Sequence, residues 1–67
     1  MKRKNLKKFR IDLNLKSKEM AEKLELQPST YSNIENGKKE DVSIGLAYKL
    51  VEVFGVDDAL TLLKMEE

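Results

Sequence analysis

Apolar residues recur at helical intervals along this chain, and short joints containing Asn, Gly, Pro or acidic residues interrupt them. Leu6, Phe9, Arg10 and Leu13 predict a first helix over 5–13. Asn14 and Leu15 turn the chain. Ser17, or Lys16 with Glu19 three residues on, then caps a second helix that ends near Glu25, its inner stripe being Met20, Ala21 and Leu24. After Glu25-Leu26-Gln27 comes Pro28, whose missing N–H suits the first position of a helix. That third helix runs to Asn36, and Gly37 supplies the left-handed residue after its last turn. Ser43 caps a fourth helix over 44–54, which Gly55 ends, and Asp57 caps a fifth over 58–65. Joints this short predict an all-α fold, a compact five-helix domain with a small core.

Composition narrows the function more than it shapes the fold. At 67 residues the chain has room for one domain, 1–67. With no Cys it has no disulfide framework, which fits a reducing, cytoplasmic setting. With no His either, zinc fingers, thiol enzymes and His-based triads are excluded, so neither a catalytic residue, a metal nor a cofactor is expected. No apolar stretch is long enough to span a membrane, and the basic start lacks the apolar segment of a signal peptide. The 13 Lys and Arg nearly balance 12 Asp and Glu, but they are segregated. Residues 1–39 carry 11 basic against 5 acidic side chains, net +6, and residues 40–67 carry 2 against 7, net −5. Such asymmetry suits a chain of which one half meets a polyanion.

The third helix holds the sharpest signal. Tyr31 and Ile34 face inward, while Ser29, Ser32, Asn33 and Asn36 form an outward stripe of short, uncharged, polar side chains. Ser and Asn are poor helix formers, and four of them on one face sacrifice about 1–2 kcal/mol of helix propensity. Small hydrogen-bonding groups that permit close approach are what a helix entering the DNA major groove needs. The alternative is an ordinary polar surface. Two helices joined by a tight turn, the second closing on Asn-Gly, also make a helix-turn-helix over 17–36.

The run from Arg10 to Gly37 resembles the Cro/repressor-type (xenobiotic-response-element) helix-turn-helix family of phage and bacterial regulators. Met20-Ala21 in the second helix, Ile34-Glu35-Asn36-Gly37-Lys38 closing the third, and Phe54-Gly55-Val56 beyond the fourth carry the likeness, which spans about 5–63. The resemblance implies a lambda-repressor-like DNA-binding fold and a repressor of transcription that occludes a promoter. Carried over position by position, it places base contacts at Gln27, Pro28, Ser29, Ser32 and Asn33. Asn33 suits a bidentate contact to adenine. Phosphate contacts fall to Ser17, where the family usually has Gln, and to Asn36, Lys38 and Lys39. Lys2-Arg3-Lys4 reads as a basic arm over 1–4, either touching DNA or merely solubilising. Arg10 and Glu35 are implied as a structural ion pair. Three departures stand out: Pro28 where a long polar side chain is common, Glu25 where the turn prefers Gly, and Glu40-Asp41 in a loop that is often basic. Glu25 is therefore expected at positive φ, strained by about 1–2 kcal/mol.

Helices four and five carry more apolar residues than one core needs. Ile44, Ala47, Val51 and Phe54 form one stripe, and Leu46, Leu50 and Val53 another. The fifth helix sets Leu60 and Leu63 against Ala59, Leu62 and Met65. A helix apolar on two sides is sandwiched or lies at an interface. The second reading predicts a homodimer through Leu46, Leu50, Val53, Leu62 and Met65, suited to a palindromic operator. The expected partner is double-stranded DNA, with no small-molecule ligand, since nothing in so short a chain is left to sense one. A protein-interaction module, an antitoxin or antirepressor on the same fold, is the competing reading, favoured by the acidic second half.

Overall fold

A computed structural model describes residues 2–39 and 42–65. Among them are five helices, α1 (Lys4–Asp12), α2 (Ser17–Lys23), α3 (Pro28–Glu35), α4 (Ile44–Phe54) and α5 (Ala59–Leu63). Glu40 and Asp41, the acidic departure in the loop, lie outside the described residues, as do Met1, Glu66 and Glu67. No helix among the described residues is long and apolar enough to cross a membrane.

Each of the first three helices ends on the same device. After α1, Asn14 adopts φ 59°; the Leu15 N–H donates back to the Arg10 carbonyl (3.2 Å) and the Asn14 N–H to Ile11 (2.9 Å). After α2, Glu25 adopts φ 59°, with Leu26 donating to Ala21 (2.8 Å) and Glu25 to Glu22 (3.1 Å). After α3, Gly37 adopts φ 77°, with Lys38 donating to Asn33 (2.9 Å) and Gly37 to Ile34 (3.2 Å). This pair of backward bonds is the Schellman motif, which satisfies the orphan carbonyls of a last turn and reverses the chain at once. Gly suits its left-handed residue, Asn tolerates it, and Glu is strained there. The Glu25 carboxylate reaches Lys49 on α4 at 3.0 Å.

Helix starts are simpler. Lys16 is the N-cap of α2, its N–H donating to the Glu19 carboxylate at 2.9 Å. Gln27 precedes Pro28 in an extended conformation, as a residue before proline prefers. Asp58, rather than the expected Asp57, caps α5, accepting from the Thr61 N–H (3.2 Å) and hydroxyl (2.6 Å). Asp57 is one residue too early to reach the free amides of a helix that starts at Ala59.

The core takes Leu6 from α1, Met20, Ala21 and Leu24 from α2 and its C-cap, Tyr31 and Ile34 from α3, Leu46 and Leu50 from α4, and Ala59 and Leu63 from α5. Phe9 and Phe54 meet edge to face beside it, ring centres 5.4 Å apart. α2 packs on α3, while α1 bridges α3 and α5, and α5 lies against α4.

Two expectations are overturned by this packing. Leu46 and Leu50 lie inside the chain's own core and so cannot form an exposed dimer face. The outer side of α4 is instead Ile44, Tyr48 and Val51. Both stripes are equally apolar, and it is the tertiary packing around α4 that selects which one is covered. Arg3 is the second: it is buried and does not belong to a solvated basic arm.

Replacing Glu25 with Gly relieves the left-handed strain at the loss of one solvated ion pair. Glu25→Gly is expected to raise the thermal midpoint by about 2–5 °C, after allowance for the freer unfolded chain. A lower midpoint in a melt followed by circular dichroism shows that the contact to Lys49 outweighs the strain.

Candidate nucleic-acid interface

α3 presents two unlike sides. Tyr31, Ile34 and Glu35 are buried, whereas Gln27, Pro28, Ser29, Asn33 and Asn36 are exposed and Ser32 is half-buried. Ser29, Ser32, Asn33 and Asn36 share one face by helical spacing, two turns long. The Asn36 amide donates to the Ser32 hydroxyl at 3.3 Å, so these two side chains restrain each other. The four side chains of this face are themselves short and uncharged.

Lys38 and Lys39 are exposed directly beyond it, and both backbone N–H groups donate to the Asn33 carbonyl, at 2.9 and 3.3 Å. Asn33 therefore supports through its backbone the two lysines that flank it. Ser17, exposed, is the first residue of α2. The remaining proposed contacts are grouped by the turn between α2 and α3, while Val53, Leu62 and Met65 belong elsewhere: Val53 is exposed on α4, and Leu62 and Met65 are half-buried at the chain's far end.

Beneath the exposed face, an ion-pair network fixes the helix. Arg10 Nε donates to Glu35 Oε2 (2.9 Å) and Arg10 Nη2 to Oε1 (3.1 Å), a bidentate pair. Tyr31 Oη, one turn earlier on α3, donates to the same Oε2 at 2.6 Å. Arg10 Nη1 reaches the Leu15 carbonyl at 2.8 Å, tying in the joint before α2. Only 14% of the Arg10 side chain and 8% of that of Glu35 remain exposed. Burial pushes the Glu35 carboxyl up, but hydrogen bonds from Arg10 and Tyr31, with the charges of Arg10 and Lys7, outweigh it and hold it below the ordinary value. Burial, and then the bond to Glu35, push the Tyr31 hydroxyl upward.

Sequence reasoning placed Tyr31 inward without seeing its bond to Glu35, although their spacing of four residues puts them on neighbouring turns. It missed the burial of Arg3 altogether, and no periodicity marks that residue. Among the described residues no group of acidic side chains is arranged to hold a metal.

The Glu35 network generates a pH prediction. A carboxyl whose folded pKa is depressed contributes stability that is full above its unfolded value, about 4.3, and is lost as pH falls through the folded value. Glu35→Gln should therefore cost about 3 kcal/mol at neutral pH, the low end for a buried pair. The gap between the two proteins should close as the medium is acidified below the usual carboxylate range. Urea midpoints across that range check it, and a gap independent of pH refutes it.

Compared with known proteins, residues 6–60 match the family model described as Helix-turn-helix. No curated protein and no solved structure gives a significant match.

Proposed function

The chain belongs to the helix-turn-helix family of the xenobiotic-response-element type, DNA-binding regulators of transcription, and on that premise we propose that it is a repressor reading a palindromic operator as a homodimer. The observation that carries the reading is the exposed stripe Ser29–Ser32–Asn33–Asn36 on a helix whose opposite side is locked by Arg10 and Glu35. A rigidly seated helix with short polar outer groups can enter the major groove and aim donors and acceptors at base edges. Gln27, Ser29 and Asn33 read bases; Ser32 supports them beside Asn36; Pro28 offers apolar contact to a thymine methyl. Ser17, Asn36, Lys38 and Lys39 meet phosphates and set the register. Repression then needs only occupancy of the promoter.

Dimerisation is assigned to the outer faces of α4 and α5. Ile44 is 73% and Leu60 72% exposed, with Tyr48 and Val51 beside them. Large apolar side chains grouped on a small domain mark an interaction surface. Val53, exposed on the opposite side of α4, lies off this face, and Leu62 is half-buried against the core. The same surface favours the second reading, a module that binds another protein, because Asp57 and Asp58 border it.

Selection of sites from a random duplex library tests both. The full chain is expected to enrich a palindrome with half-sites about one helical turn apart. Asn33→Ala should relax the preference at one base pair of each half-site, a loss of about 1–3 kcal/mol of discrimination. Recovery of no motif even at low salt refutes the repressor and leaves the protein partner. In sedimentation, Leu60→Glu should shift the dimer toward monomer without altering the helical signal. An unchanged assembly state refutes the assigned face.

A further inference from the structure

Arg3 is only 1% exposed, although Lys2 and Lys4 on either side of it are exposed. Its Nε donates to the Leu63 carbonyl (2.8 Å), and its Nη1 donates to the carbonyls of Ile34 (2.6 Å) and Lys39 (2.8 Å). Its backbone N–H donates to the Glu35 carbonyl at 3.0 Å. Ile34 and Glu35 are the last two residues of α3, and Leu63 is the last of α5. Carbonyls at a helix C-terminus lack partners within the helix and carry the negative end of its dipole. A guanidinium between two such ends finds acceptors and favourable partial charge. The planar fork of arginine can serve several carbonyls at once, whereas an ammonium is a point charge.

The consequence reaches the DNA-facing side. The Lys39 carbonyl accepts from Arg3 while its N–H donates to the Asn33 carbonyl, so both polar groups of that residue's backbone are engaged. Arg3 thus joins the end of α5, the end of the reading helix and the first lysines beyond it. We propose that Arg3 is a positioning residue for DNA binding: buried between the C-termini of α3 and α5, it sets the place of Lys39 and of the Asn33 end of α3 and never touches the duplex itself. The proposal rests on the assignment of Lys39 to a phosphate.

Two measurements test it. In NMR of the wild-type chain, the Arg3 Nε–H should exchange slowly and keep its shift when a random-sequence duplex of about 20 base pairs is added at about 50 mM salt. Rapid exchange, or a large shift on adding DNA, overturns the proposal, and this arm needs no variant to fold. In the second, duplex binding is compared at a temperature where all variants are folded. Lys39→Gln should lower the slope of log K against log salt by about 0.9. Arg3→Lys, which keeps the charge but loses the fork, should weaken binding by a similar factor, about three- to tenfold, and the double variant should be no weaker than the worse single one. Additive losses, or wild-type binding by Arg3→Lys, overturn the proposal. An unchanged slope in Lys39→Gln overturns it too, but a protected Arg3 Nε–H then identifies the phosphate assignment as what failed.

Discussion

Glu35 sits in the last turn of α3 and receives two bonds from Arg10 and one from Tyr31. The rest of the structure depends on that carboxylate. The helices run from 5 to 11 residues, and helices that short do not persist alone in water. Their packing must therefore be specified by contacts between them, and a core of ten buried apolar residues among those described leaves little surplus. A bidentate charged pair supplies direction as well as attraction. Because Arg10 also binds the Leu15 carbonyl, one network fixes α1, the joint after it and the orientation of α3. Removing either charge leaves the other buried without compensation.

The turns that end α1, α2 and α3 set how these helices meet. Three Schellman turns follow in succession, with Asn14, Glu25 and Gly37 at the left-handed position. Gly37 is the one that must let the chain leave α3 and present Lys38 and Lys39 with their N–H groups on Asn33. Glu25 accepts strain in the turn between α2 and α3, and its carboxylate links that turn to α4 through Lys49. The tight reversals keep five helices within a short chain and aim the polar side of α3 outward.

Two surfaces of opposite character result. The α3 face with its flanking lysines belongs to the basic part of the chain, and the exposed apolar side of α4 and α5 belongs to the acidic part. Cations near a polyanion gain affinity, and that gain weakens as salt shortens the Debye length. Arg3 joins the two halves physically, from the carbonyl of Leu63 to those of Ile34 and Lys39.

Local rules made much of this legible in the sequence. Helical spacing located the helices to within a residue or two, Pro28 and Gly37 bounded α3, and Glu25 takes the positive φ that its place in the turn demanded. The uncharged outer stripe of α3 was legible because propensity made it conspicuous. What a residue's own neighbours along the chain do not decide was not legible. Leu46 and Leu50 against Ile44 and Val51 are two equally apolar stripes, and only the packing of the rest of the chain around α4 chose between them. Arg3 reads as one more solvated cation among lysines until the ends of α3 and α5, 31 and 60 residues away along the chain, converge on it. By itself the sequence determined where the helices lie and which face of α3 is polar, because those follow from local geometry. Tertiary structure alone decided which apolar stripe is covered and which cation is buried, because burial is set by what arrives from elsewhere in the chain.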